Sequence, residues 1–133
     1  MTEWRKAEFA GSNCQATAKG LAQVMQMAVN GNIGQTKILS EDIVGFLRES
    51  RISGPNLVLP FDIDFAAGVM RNAPNYFYGP NADTVGHSGW GGSCVFADPV
   101  TGLHGAYVMS RQENTLLGDM RPRRIIDALY NCL

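Results

Sequence analysis

The run Val85-Gly86-His87-Ser88-Gly89-Trp90-Gly91-Gly92-Ser93, continued by Cys94-Val95-Phe96, decides how the rest of the chain is read. Four of the seven residues from Gly86 to Gly92 are glycine. Glycine inside a strand forfeits backbone entropy and side-chain packing, so the run needs its missing Cβ atoms. A ligand lying against the backbone would require them, and so would a β-bulge or a tight crossing of chains. No Lys-Ser or Lys-Thr pair follows the glycines and no G-x-G-x-x-G is present, which excludes a phosphate loop and a dinucleotide fingerprint. Val85 to Phe96 therefore reads as extended chain, Gly-rich at first and then apolar. Asp98-Pro99 through Thr101-Gly102 forms a turn into Leu103 to Met109, and the two extended segments make an antiparallel hairpin.

Working outward, Phe61 to Met70 reads as a first strand, closed by the turn Asn72-Ala73-Pro74-Asn75. Arg51 to Pro60, with Gly54-Pro55, reads as the connection from a helical part. That part holds a helix over about 13 to 30, with Ser12 and Gln15 as a capping box and Ala18, Leu21, Ala22, Met25, Ala28 and Val29 at helical spacing. Asn30-Gly31 stops it. A shorter helix starts at Ser40, where Glu41 and Asp42 favour the positive end of the dipole and Ile43, Phe46 and Leu47 form the apolar face. Pro122 opens a closing amphipathic helix through Ile125, Ile126, Leu129 and Tyr130. The expected class is α+β in one unit, 1–133: helical over 12–50, a sheet over 61–110, and a C-terminal helix over 122–132.

At 133 residues, 45% hydrophobic and 17% charged, the chain is one globular domain or part of one. Eleven Lys and Arg against twelve Asp and Glu leave a formal charge of −1, without the cationic field that phosphate backbones require, so nucleic acid is not an expected partner. No apolar run approaches a membrane span and the start resembles no signal-peptide core, so a soluble, intracellular chain is expected. Cys14, Cys94 and Cys132 are far apart and show no metal-ligand spacing, so reduced, buried thiols and no metal or cofactor are expected. His87 and His104 are the only histidines.

Gly86-His87-Ser88-Gly89-Trp90-Gly91-Gly92-Ser93, then Phe96-Ala97-Asp98-Pro99, Gly102 and Gly105-Ala106-Tyr107-Val108, resemble the C-terminal strands of the serine β-lactamase-related superfamily. That superfamily takes in class C β-lactamases, penicillin-binding proteins, family VIII esterases, D-aminopeptidases and the animal β-lactamase-domain proteins. Trp4-Arg5-Lys6-Ala7-Glu8, with Thr17-Ala18-Lys19-Gly20-Leu21-Ala22, is similar to the helical region preceding those strands, so the likeness runs from about residue 4 to 132. It implies a partial β-lactamase/transpeptidase-like domain, an antiparallel sheet with flanking helices. It also implies acyl transfer through a serine ester, in which a Ser on a Ser-x-x-Lys helix attacks a carbonyl. His87-Ser88-Gly89 takes the place of the third signature, Lys-Thr-Gly or His-x-Gly. The resemblance makes the Trp90 N–H an oxyanion donor and lets the acyl group lie against Gly89. The candidate catalytic residues are therefore His87, Ser88, Gly89 and Trp90. A Lys in place of His87 would be a fixed cation suited to a carboxylate, whereas an imidazole of ordinary pKa is mostly neutral at pH 7, so esters, amides or small peptides are the expected substrates.

The departures matter equally. The residues three before Lys6, Lys19 and Lys37 are Glu3, Ala16 and Gly34, so these 133 residues contain no Ser-x-x-Lys. Tyr76, Tyr78, Tyr107 and Tyr130 are followed at plus two by Tyr, Pro, Met and Cys, so there is no Tyr-x-Asn or Tyr-x-Ser. The chain alone is expected to be inactive, its site completed by sequence elsewhere, or else to be a non-catalytic truncated paralogue serving as an interaction or structural module. Self-association or marginal stability is expected from an unpaired sheet edge and an apolar face, with Phe65, Val69, Val95 and Tyr107 on the exposed or re-covered face. Asp62 and Asp64 share one face of an extended segment but read as solvated charge. Arg121, Arg123 and Arg124 read as a solvated face, and His104 as a structural imidazole. Tyr76, Phe77 and Tyr78 either line an apolar pocket or pack on one another.

Overall fold

The computed structural model describes residues 2–12 and 14–133. A short α1 (Thr2–Lys6) precedes α2 (Ala18–Asn30), a small hairpin of β1 (Asn32–Ile33) and β2 (Thr36–Lys37), and α3 (Glu41–Arg48). Six strands follow: β3 (Ile52–Pro55), β4 (Asp62–Phe65), β5 (Met70–Arg71), β6 (Val85–Ser88), β7 (Cys94–Ala97) and β8 (His104–Tyr107). They form one antiparallel sheet in chain order, and α4 (Met120–Tyr130) closes the chain. The architecture is an antiparallel sheet with flanking helices, as expected from the sequence.

The two-residue period of the strands distributes side chains to two cores. On one face Val85 and Ala97 bury against Met25 and Ala28 of α2, with Val29, Val69 and Val95 around them. On the other, Cys94 and Phe96 meet Tyr78 and Ile126, with Phe77, Leu103, Tyr107 and Tyr130 alongside. The registers Val85↔Ala97, Gly86↔Phe96 and His87↔Val95 keep these two sets apart. Val69 and Val95 thus lie under α2 while Tyr107 lies on the α4 side, so these three are divided between the two faces of the sheet rather than sharing one.

Several boundaries differ from the sequence expectations. The first long helix begins at Ala18, not near 13, and its cap is Thr17, whose Oγ1 accepts from the Gly20 N–H at 3.1 Å. Asn13 lies outside the described residues. The apolar stripe itself begins at Ala18, so Ser12 to Ala16 would have gained no buried face as helix. The segment 61–70 is a hairpin rather than one strand: Phe65 pairs with Met70 and the Ala66 N–H donates to the Val69 carbonyl at 2.9 Å. Val85 to Phe96 likewise splits into β6 and β7. The sheet also starts earlier, because β3 lies in the stretch read as a connection. Its Gly54-Pro55 pair sits on the outermost strand, the one position in a sheet where proline loses no ladder bond. Cys94 is buried as expected, but Cys14 and Cys132 are exposed, since they fall outside the apolar stripes of α2 and α4.

Candidate functional site

The glycine-rich run is the reversal between β6 and β7. The Gly89 N–H donates to the Ser93 carbonyl at 2.8 Å, and the Gly92 N–H donates to the Gly89 carbonyl at 3.1 Å, leaving Trp90 at the tip. Gly91 and Gly92 take φ of +95° and +116°, where side-chain-bearing residues are strained. Among the described residues nothing accepts a hydrogen bond from the Trp90 N–H. The indole is 69% exposed.

Strand alternation sends His87 and Ser88 to opposite faces. His87 is exposed on the α2 side, with Nδ1 3.0 Å from the Ser88 carbonyl oxygen. The Ser88 hydroxyl points the other way and pairs with the Tyr78 hydroxyl at 2.9 Å, both buried. Burial drives the Tyr78 phenol far above its ordinary pKa, and the hydrogen bond with Ser88 only partly offsets this. The pair is therefore a neutral tie between hydroxyls. Tyr78 also packs against Gly86, where a Cβ would come within 2.8 Å of its ring and 2.5 Å of the Val95 carbonyl oxygen. This close packing explains the first glycine of the run; at the later ones a Cβ would crowd Ser93, Gln112 or the Asp119–Arg121 pair, and Gly91 and Gly92 also need positive φ.

His87, Ser88, Gly89 and Trp90 all line one cleft of about 860 Å³. Leu21, Val108, Met109 and Gln112 form further wall, and the segment from Trp4 to Ala16 supplies the opposite side, including the exposed Cys14. The four candidate residues are thus brought together, three presenting backbone or side chain to the cleft and Ser88 turning its hydroxyl away from it. Cys94, beneath the strand, has its thiol pushed up to about 11 by burial, so it stays protonated.

Arg121 is not a solvated cation. Its guanidinium binds Asp119 through Nε to Oδ1 at 3.0 Å and Nη2 to Oδ2 at 2.7 Å. It also donates to the Gly91 carbonyl at 2.8 Å and, through Nη1, to the Arg111 carbonyl at 2.8 Å. Asp119 caps α4 by accepting from the Arg121 N–H. Hydrogen bonds from Arg121 hold the Asp119 carboxyl below the usual range, against the opposing effect of its burial. Arg123 is half-buried and Arg124 exposed. The sequence reading started this helix at Pro122 and missed Asp119 as its cap, and nothing local could reveal that Arg121 reaches Gly91, thirty residues away.

The remaining candidates are structural. Asp64 accepts from Ser50 at 2.5 Å and lies 3.4 Å from Arg71, which also bridges to Asp83, while Asp62 is exposed. His104 ties β8 to α2 through Nδ1 and the Ala22 carbonyl at 2.8 Å. Phe77 packs edge-on against Phe61 and Tyr78, so the aromatic loop packs on itself. No group of His, Cys, Asp and Glu suited to a metal ion occurs among the described residues, and no helix among them is long and apolar enough to cross a membrane.

A family model described as Beta-lactamase matches residues 2–130. A penicillin-binding protein homologue from Caulobacter crescentus is similar at 45% identity and a TM-score of 0.95, over 100% of this chain and 36% of that one. A family VIII carboxylesterase is similar at 36% identity and a TM-score of 0.91, over 98% of this chain and 35% of that one. No curated protein gives a significant match. The chain spans about a third of the length of the two solved relatives. The family model over residues 2–130 and the two solved relatives thus show that this chain belongs to the β-lactamase family.

Proposed function

We propose that this chain is the third-motif portion of an acyl-serine hydrolase acting on esters, amides or small peptides, with its nucleophile on a Ser-x-x-Lys segment outside the 133 residues. The observation that carries this reading is the unpaired Trp90 N–H at the mouth of a cleft that also holds His87 and Gly89. In the reaction the serine oxygen attacks the carbonyl carbon and the carbonyl π electrons move to oxygen. The oxyanion accepts from the Trp90 N–H and from the nucleophile's own N–H. The serine's proton, taken up by the lysine of the Ser-x-x-Lys segment, goes to the leaving oxygen or nitrogen as collapse expels it as alcohol or amine, and water then cleaves the acyl ester, releasing the carboxylic acid and restoring the serine hydroxyl. Gly89 gives the acyl group a wall without a Cβ, and His87 flanks it with an imidazole in place of a lysine ammonium. Ser88 is a positioning residue, its hydroxyl committed to Tyr78.

A fluorophosphonate probe and p-nitrophenyl butyrate test the reading on the 133-residue chain and on a longer protein in which it is joined to a Ser-x-x-Lys segment. The longer protein is expected to label and turn over, and the chain alone to do neither. Serine labelling of the chain alone would overturn the assignment of the nucleophile elsewhere; an inert longer protein would favour the non-catalytic module. Self-association belongs to the same proposal, since β3 and β8 are the outer strands of the sheet. Sedimentation as a monomer at all concentrations would remove it.

A further inference from the structure

We propose that Asp119 and Arg121 are positioning residues for the oxyanion donor, acting through two peptide planes that lie between the guanidinium and the Trp90 N–H. The proposal rests on the reading above for its catalytic consequence but not for its geometry. In a trans peptide the C=O and N–H point in opposite directions, so fixing one aims the other. Arg121 Nη2 holds the carbonyl of Gly91 at 2.8 Å, and the Glu113 N–H holds the same oxygen at 3.1 Å. That fixes the 91–92 peptide, whose N–H donates to the Gly89 carbonyl at 3.1 Å. The Gly89 carbonyl belongs to the 89–90 peptide, whose opposite end is the Trp90 N–H. Thus the guanidinium, one peptide, a second peptide and the donor form a single chain of fixed dipoles.

The arrangement is built to hold one geometry. The bidentate contact with Asp119 fixes the guanidinium plane, which a lysine ammonium in the same place could not reproduce. Arg121 also ties down the Arg111 carbonyl, and the Gly91 N–H donates to Thr115 at 3.0 Å, so the loop after β8 braces the turn from its outer side. Gly92 lies so close to the ion pair that a Cβ would overlap both Arg121 and Asp119. Alignment of successive amides also polarises each in turn, strengthening the last donor.

Two readouts separate the geometry from the chemistry. In the 133-residue chain, backbone amide exchange is followed by NMR for Arg121→Ala, Arg121→Lys and Asp119→Asn. Exchange at Gly92 is expected to rise about tenfold or more in each, with a shifted Trp90 amide resonance, while amides of β7 and of the α4 interior keep their protection. Unchanged Gly92 exchange, or full rescue by Arg121→Lys, would overturn the proposal. Should Arg121→Ala fail to fold, Asp119→Asn, which preserves shape, decides it by the same signals. In the longer protein, kcat is expected to fall about 10- to 100-fold with KM within about twofold, a part of what loss of a whole oxyanion donor does. A rise confined to KM, with kcat unchanged, would overturn the catalytic consequence. A longer protein inert as wild type would refute the hydrolase reading instead, and the exchange data would still decide the clamp.

Discussion

Strand β7 is entered and left by two turns of opposite design. The turn after it, Asp98 to Leu103, is organised around one acidic side chain of its own: the Asp98 carboxylate accepts from the Val100 N–H at 2.8 Å and from the Thr101 hydroxyl at 2.7 Å. It also accepts from Asn81 Nδ2 at 2.7 Å and the Tyr130 hydroxyl at 2.6 Å, and the residue is wholly buried. The turn before it, Gly89 to Ser93, has no acidic side chain of its own, and distant residues hold it while its central N–H stays unpaired. A turn that only redirects the chain can gather its donors around one buried carboxylate and leave none open. A turn that must offer a donor has to leave one open and take its rigidity from elsewhere.

Asp98→Ala should have the largest effect on this contrast, about 4 kcal/mol in chemical denaturation, because three side-chain donors and one amide would lose a buried acceptor at once. A loss below about 1 kcal/mol would mean that the carboxylate is not what organises the second turn. Next comes a pair of matched substitutions. Gly92→Ala combines a φ of +116° with overlap on the Asp119–Arg121 pair and should cost about 3 kcal/mol. Gly102→Ala has a φ of +77° in open space and should cost only about 1 kcal/mol. Equal costs would erase the distinction between a braced turn and a free one. Tyr78→Phe, which strands the buried Ser88 hydroxyl, should cost about 1.5 kcal/mol with the fold retained.

The smallest effects concern pH. Burial alone would raise the Asp98 pKa, but hydrogen bonds from Tyr130, Thr101, Asn81 and the Val100 N–H outweigh it and hold the carboxyl low. Asp119 is low as well. Both contribute stability that is present above the ordinary carboxylate pKa of about 3.9 and is lost as pH falls below it. At the other limb, burial and the Asp98 carboxylate push Tyr130 up to about 12, and burial pushes Cys94 up to about 11. Their contribution is full below the ordinary thiol and phenol values and is lost as pH rises toward those figures. Denaturation midpoints against pH should therefore be flat from about pH 5 to 8. Asp98→Asn should shallow the acid limb.

The sheet was readable because turn residues and the apolar period mark where chain direction changes, and Asp98-Pro99 with Thr101-Gly102 carries its own hydrogen-bonding partners in sequence. The doubled strands at 61–70 and 85–96 were not, since reversal glycines look the same as bulge glycines until pairing is known. β3 was hidden by a Gly-Pro pair that only an edge position tolerates. At the site, His87 to Trp90 stood out because glycines signal an absent Cβ. Their supports did not, because Tyr78 acts on Ser88 across ten residues and Arg121 on Gly91 across thirty, distances over which no periodicity runs.

The chain contains two tryptophans, Trp4 and Trp90, and both line the same cleft. All indole emission from this molecule therefore originates at the mouth of the proposed site, with no background from the two cores. Acyl groups or inhibitors entering there would be visible as a change in colour or intensity without any label, and a quencher such as iodide would measure how open the mouth is.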